Sequence, residues 1–353
     1  MLELTVNGKD HSGWLNMEIA RSMQELCGSY SLGLTDPSVG TNNFLIRAGN
    51  LCRITIRNKD TDPRFQIMQG YVEALDGEGG KDSDSYSVSG RDRTGDLVDS
   101  AIVRQGEWNA PDFTFVNLVS DLASDFGINV VVDSSLDLSQ PIGSVQYDQG
   151  TTYSDLIAEY AQKLQVLVYT LPSGELFITR ASKTRGSLSL VEGKNILRRG
   201  FKADWTNVFK EYIVKGSRQS EPNDPEEDVT QVEGCATDSR FPRPRATIIT
   251  PDTEMTAESA QQLADWNAST RIPNAESWWV EVQGWIPVMN QLAYVKIPRY
   301  ELDGDYLIEG YRLTADDGGK KTVFNIVHPR SFDLLPGNTV TADSKDSKAL
   351  DVQ

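Results

Sequence analysis

The hydrophobic period of this chain changes twice, and that change limits what it can fold into. Up to about Asp96 the apolar residues alternate in short runs, "LELTVNG", "WLNMEIARSM", "YSLGLTD", "LCRITIRN", "FQIMQGYVEALDGEGG" and "DSYSVSGRD", with turn residues between them. Period-2 patterning of this kind specifies strands, and strand-rich stretches usually hide their edges by closing into a barrel or sandwich. From about Leu97 to Thr179 the period lengthens. Phe115, Leu118, Val119, Leu122 and Phe126 form a helical stripe, followed by a β-branched strand at 128–132. Tyr153, Leu156, Ile157, Tyr160 and Leu164 repeat that stripe 38 positions later, followed by a strand at 166–169. Thr152 with Asp155 offers the second helix a cap, because both side chains can accept from its orphan amides. Two helix-strand units make one small α/β domain, since a solenoid needs at least three repeats.

Strand patterning resumes at "NILRRGFKADWTNVFKEYIVKG". The segment 217–234, "SRQSEPNDPEEDVTQVEG", is acidic and poor in large apolar groups, so it cannot offset its ordering entropy by burial and reads as a long mobile loop. In "FPRPRATIIT", Arg240, Arg243 and Arg245 cluster beside prolines that keep this segment out of the centre of a sheet. "TAESAQQLADWNAST" is a helix carrying Ala260, Leu263, Ala264 and Trp266. A hairpin follows, with strands at 306–314 and 322–327 and a turn at "ADDGGK". The small, polar tail 336–353 reads as flexible.

The stretch 277–287, "SWWVEVQGWIP", places three of the chain's seven tryptophans within eight positions. It admits three readings: a sugar platform, the wall of an enzyme pocket, or a strand packed on both faces. Alternation puts Trp278, Val280 and Val282 on one side, as core, and Trp279, Glu281, Gln283 and Trp285 on the other. Two polar residues bracketed by tryptophans suit a strand that meets another protein surface.

Chemistry is poorly supplied. Cys27, Cys52 and Cys235 form no CxxC pair, and with His11 and His328 as the only histidines a zinc site has almost no ligands. There is no G-x-S-x-G, and "GEGGKDS" lacks the phosphate-loop spacing and precedes a strand. Asp76, Glu78, Asp82 and Asp84 do not follow the EF-hand order and read as a solvated turn. A carboxylate pair for glycoside hydrolysis stays open among 51 acidic residues. No run approaches the roughly 18 apolar residues of a membrane span, and the N-terminus has neither a basic start nor an apolar core for a signal peptide. Against 51 acidic residues stand 34 basic ones, a net charge of −17. Such a balance disfavours direct nucleic-acid binding. It serves solubility, and an acidic wall would also let nucleic acid slide past without sticking.

The junction "VSGRDRTGDLVDSAI", 88–102, resembles the G-R-D-x-x-x-D-L-V-D-S stretch of the baseplate hub proteins of contractile-tailed phages, the phage Mu P protein-like group. That group is related to the T4-type hub and to the N-terminal half of type VI spike proteins. The start, "LTVNGKDHSGWLNMEIARSMQELCGSYSLGLTD", and the end, "WVEVQGWIP" followed by "YVKIPRYELDGDYLIEGYRLTADDGGKKTVFNIVHPRSF", are similar to it too. The order is kept from Leu2 to about Leu335. The chain departs from the pattern in its long acidic loop and in "PVMNQLAYVKIP", which lacks the usual glycine lead.

The resemblance implies a mainly β protein with an α/β insertion. Two β-barrel domains per subunit would form a trimeric pseudo-sixfold ring, with a small peripheral helix-strand repeat domain. The expected domains are a first barrel at 1–95, possible completion of it by strands within 190–216, an α/β domain at 96–188, a second barrel at 189–335 and the tail at 336–353. The implied role is a non-enzymatic baseplate hub that joins the sixfold tail tube to the threefold central spike and leaves a channel for DNA. Expected partners are two further copies, the spike, the tail tube or distal tube protein and other baseplate proteins, with no specific nucleic-acid binding, no stable membrane insertion and no cofactor. The place of action would be the virion tail, after assembly in the host cytoplasm. Trp279 and Trp285 are the expected interface residues. The alternatives are a tail-associated cell-wall glycan hydrolase or a carbohydrate-binding module.

Overall fold

The structure is a computed structural model that describes residues 1–36, 46–59, 61–79, 84–104, 108, 110–143, 145–218, 230–251 and 256–334. It is mainly β, and it divides into two compact units, Met1–Arg199 with Trp279–Ile326, and Gly200–Trp278 with Val327–Gln353.

The first unit opens with β1 (Leu2–Val6), β2 (Lys9–His11), β3 (Asn16–Ser22), β4 (Ser29–Asp36), β5 (Leu51–Ile56), β6 (Phe65–Gly79) and β7 (Asp84–Asp92). Alternation reads through directly: Met17 and Ile19 on β3, and Ile54 and Ile56 on β5, point inward while their neighbours face out. A short α1 (Gly95–Asp99) leads to α2 (Phe115–Ser124), β8 (Val130–Val132), α3 (Tyr153–Leu164), β9 (Leu167–Thr170) and β10 (Leu176–Thr179). These form the helix-strand pair read from the repeat. β10 runs parallel to β8 and antiparallel to β9. Phe115, Leu118, Val119 and Leu122 of α2 share one core with Tyr153, Leu156, Ile157 and Tyr160 of α3. Both helices are capped at equivalent positions. Thr114 accepts from the Asn117 amide, and Thr152 from the Asp155 amide.

The chain continues through β11 (Arg185–Val191) and leaves the first unit within β12 (Ile196–Ala203). The second unit holds β13 (Glu211–Arg218), β14 (Thr230–Thr237), β15 (Ala246–Ile249) and α4 (Ala257–Ala275), and the return to the first unit falls within β16 (Glu276–Gln283). In the second unit β14 is antiparallel and β15 parallel to the central β13. α4 lays Ala260 and Ala264 against Val214. Residues 217, 218 and 230–234 of the acidic segment lie in β13 and β14, whose register pairs Arg218 with Thr230. Positions 219–229, Asp82 and the tail from 335 lie outside the described residues.

β17 (Gln291–Ile297), β18 (Leu302–Asp316) and β19 (Gly319–Val327) complete the strands. β18 is long enough to serve two neighbours: residues 302–308 pair with β17, and 310–315 pair with β3. One sheet path therefore runs β16-β19-β18-β3-β4-β7-β6-β5-β1-β2, with β11 beyond β17. Strands expected in two barrels, β1–β7 from 1–95 and β16–β19 from 189–335, thus share one sheet, β13–β15 form a sheet of their own, and no closed barrel is found among the described residues. The physical reason is that alternation fixes which face of a strand is buried but carries no label for its partner.

If the two helices are held by equivalent caps, Thr114→Ala and Thr152→Ala should each cost about 1 kcal/mol. The loss should appear as faster amide exchange confined to the first turn of α2 or α3, measured by hydrogen-exchange mass spectrometry.

Candidate functional site

The junction motif that carried the resemblance sits where β7 hands the chain to α1, and its Arg91, Asp92, Arg93 and Thr94 each reach a different neighbour. Asp92 ends β7 fully buried, and its carboxylate lies 3.3 Å from the guanidinium of Arg21 on β3, itself 4% exposed. The Asp92 Oδ2 also accepts from the Gly28 amide at 2.8 Å. Arg21 donates through Nη1 to the Ile67 carbonyl at 2.8 Å and through Nη2 to the Thr170 carbonyl. One side chain thus ties β3 to β6, to β7 and to β9 of the α/β insertion. Burial pushes the Asp92 carboxyl up to about 6, against the pull of Arg21 and of the Gly28 amide.

Thr94 and Thr170 extend the joint. Their hydroxyls lie 2.5 Å apart, and both approach the Leu26 carbonyl, Thr170 at 2.6 Å and Thr94 at 3.2 Å. Arg93 reaches the carbonyls of Phe126 and Gly127 beyond the end of α2. Arg91 forks between Glu73 and Asp99, and those two carboxylates hold its guanidinium more firmly protonated than usual. The glycines next to these residues are required by proximity. A Cβ on Gly70 would lie 1.8 Å from the Arg91 carbonyl oxygen, and one on Gly90 would lie 1.9 Å from that of Tyr71. The arrangement offers fixed geometry, and no cluster of metal ligands occurs among the described residues.

The two tryptophans expected at an interface fall in different settings. Trp279 lies half-buried on β16, with the Arg198 guanidinium 5.9 Å from its ring centre. Val280 and Val282 beside it are buried and Trp278 is half-buried, while Glu281 shares the Trp279 side, within 4.0 Å of Arg198. Trp285 is 4% exposed within its own chain. β16 ends at Gln283, and Gly284, at φ +87°, breaks the alternation that would have kept Trp285 in phase with Trp279. The Trp285 indole donates to the Thr314 carbonyl at 2.9 Å under the ammonium of Lys320. Its backbone exchanges two 2.9 Å hydrogen bonds with the side-chain amide of Asn58, and Lys320 reaches the Arg57 and Asn58 carbonyls. Trp285 therefore ties a C-terminal turn to an N-terminal loop. The sequence reading missed Arg21, although it lies in phase with Met17, Ile19 and Met23 on the buried side of its strand.

Arg21→Met should cost about 3 kcal/mol or more near pH 7.5, because it leaves a buried carboxylate without its counter-charge. The loss should shrink near pH 5. The folded chain holds the Asp92 proton more tightly than the unfolded chain, so below about 6 the carboxyl is largely neutral and needs the guanidinium less. Arg21→Met/Asp92→Leu should lose less than the sum of the single variants, as read from urea unfolding at both pH values.

Comparison with known proteins meets the same residues. Positions 1–92 match the N-terminal domain of the Mu phage baseplate assembly protein GpP-like family, and 94–180 match the second domain of the baseplate hub protein gp44-like family, together just over half the chain. The baseplate hub protein gp44 of Escherichia phage Mu is 27% identical over 362 residues, 99% of this chain and 92% of that protein. The 43 kDa tail protein of prophage MuSo2 from Shewanella oneidensis superposes with a TM-score of 0.79 at 27% identity, over 94% of this chain and 99% of that one. The tail protein from Neisseria meningitidis MC58 shares the fold, with a TM-score of 0.72 at 18% identity over 94% and 98%. The boundary between the two matched domains falls at Arg93, and on those adjoining domain matches together with the near full-length match, the chain belongs to the phage Mu-type baseplate hub family.

Proposed function

We propose that the chain is a non-enzymatic structural hub of a contractile phage tail. It assembles as a homotrimer that adapts the sixfold tail tube to a threefold central spike and leaves a bore for DNA. The observation that carries this reading is the end-to-end correspondence in fold and sequence with the MuSo2 tail protein, over 94% of one chain and 99% of the other. A scaffold role also suits the joint around Arg21 and Asp92, where charge and hydrogen bonds are spent on holding strands in place. β2 and β11 each pair on one side alone among the described residues, and edges of this kind are best hidden by neighbouring copies in a closed ring.

In this reading the two barrels per subunit become complete only in the ring, with the domains at 1–95, 96–188 and 189–335 contributing strands and periphery. Trp279, half-buried under Arg198, is the tryptophan available for a subunit contact, whereas Trp285 shapes that surface from within its own chain. The partners are the spike, the tube or distal tube protein and other baseplate proteins, and the place of action is the virion tail after assembly in the host cytoplasm. The net charge of −17 favours an acidic bore past which DNA slides without binding. No helix among the described residues is long and apolar enough to cross a membrane.

Light scattering across a concentration series should give about three times the 39.1 kDa chain mass, and electron microscopy should show a ring with a central hole. Trp279→Ala should weaken assembly by about 2 kcal/mol, roughly thirtyfold, while leaving the subunit folded. A chain that stays monomeric even with its spike present, or that clears peptidoglycan, would sink the proposal.

A further inference from the structure

The second unit carries an open sheet edge whose surroundings define what can bind there. β13 is paired on both sides, and α4 covers one face of its sheet through Ala260 and Ala264. β15, "ATII", pairs with β13 alone, so the outward backbone groups of Ala246–Ile249 meet no strand among the described residues. Natural edges are usually blunted by prolines, charges or bulges within the strand. Here Pro242 and Pro244 precede the strand and none lies in it, while Ile248 stands 60% exposed on the sheet face opposite α4. The approach is shaped by a tight turn in which the Arg245 amide donates to the Arg243 carbonyl at 2.9 Å. That turn delivers two arginines to the head of the edge.

The arginines around this edge differ in their partners. Arg240, a few residues earlier, grips both oxygens of Asp238 at 2.8 Å. Arg243 is exposed and lies over the Phe241 ring at 5.1 Å, with no carboxylate partner among the described residues. Arg245 is half-buried over the rings of Phe209 and Phe241, at 4.8 and 5.7 Å, and among the described residues its guanidinium donates to the carbonyls of Trp205 and Thr206. From Arg240 to Thr250 there is no acidic residue, in a chain with 51 acidic against 34 basic positions. Two guanidiniums with no carboxylate partner among the described residues, each lying against aromatic rings, favour negative charge alongside.

We propose that the free edge of β15 accepts an extended acidic segment of a partner protein as an added strand. The partner's main chain bonds to the outward groups of Ala246–Ile249. Its carboxylates meet Arg243 and Arg245 in charge-assisted contacts, and a small apolar side chain covers Ile248. The inference does not depend on the trimeric ring.

The test uses the full chain and a capped peptide of alternating glutamate and valine, about eight residues long to match an ordinary strand. Two companions are needed: one with lysine in place of glutamate, and one N-methylated at alternate positions so that it cannot donate to a strand. Hydrogen-exchange mass spectrometry should show the glutamate peptide protecting Ala246–Ile249. Binding by fluorescence anisotropy should weaken as salt rises from about 50 to 300 mM. Arg243→Glu should reduce affinity by about fivefold or more, the loss of one charge-assisted surface contact combined with repulsion.

Absence of protection at millimolar peptide overturns the proposal, as does equal binding by the lysine peptide or by the methylated one. If the chain alone protects β15 increasingly with its own concentration, and Arg243→Glu removes both that protection and the oligomer, the edge belongs to a second copy and the partner assignment fails. Should Arg243→Glu not fold, the three peptides on the unaltered chain still decide. A trimer mass unchanged in Arg243→Glu keeps this result separate from the proposed ring.

Discussion

A single buried guanidinium holds the first unit together at the place where its parts would otherwise be free to hinge. Arg21 reaches Ile67 on β6, Asp92 at the end of β7 and Thr170 on β9, so one rigid planar group fixes three segments that are distant in sequence. A hydrophobic plug of similar volume would bury as well and would avoid the cost of desolvating two charges, which in this environment is large enough to raise the Asp92 carboxyl to about 6. An apolar contact, however, tolerates sliding. The ion pair, the Gly28 amide and the two threonine hydroxyls on the Leu26 carbonyl are satisfied in one relative placement of strands and insertion.

The glycines belong to the same argument. Gly70 and Gly90 let the backbones of β6 and β7 approach at a distance no side chain permits, and this approach brings Asp92 beneath Arg21. The motif residues that flank them then face outward in turn: Arg91 to Glu73 and Asp99, and Arg93 to the end of α2. The run of Arg91, Asp92, Arg93 and Thr94 is therefore a joint in which each side chain holds a different neighbour.

The helices α2 and α3 and the strands that follow them could be read from sequence because what specifies them is local. The stripe, the cap and the following β-branched strand all lie within one repeat, and Thr114 and Thr152 cap α2 and α3 at the same offset as the stripes. The pairing of β3 with β18 was not legible, because the register of Tyr311 on Arg21 joins residues almost a chain length apart and alternation says nothing about partners. Trp285 escaped for a smaller reason. One glycine in a left-handed conformation ends the strand and turns the indole inward, where period-2 counting had kept it on the outer face. Arg21 was open to discovery, since a charged residue in phase with Met17, Ile19 and Met23 must be paired if that face is core.

Charge is divided in this protein by function as well as by sign. Several buried and half-buried arginines of the first unit are matched with carboxylates, Arg21 with Asp92, Arg91 with Glu73 and Asp99, and Arg104 with Asp121 and Asp125, whereas Arg93 and Arg180 donate to backbone carbonyls. In the second unit Arg240 follows that pattern, and Arg243 and Arg245 do not. A net charge of −17 disfavours acidic partners overall, so the proposed binding of an acidic segment calls for a local excess of positive charge. An aromatic bed for the guanidiniums achieves this without carboxylates that would cancel them, since the rings fix the side chains while leaving their charge uncompensated. In a chain with a net charge of −17, two guanidiniums with no carboxylate partner among the described residues would make this edge favour an acidic strand over a basic one.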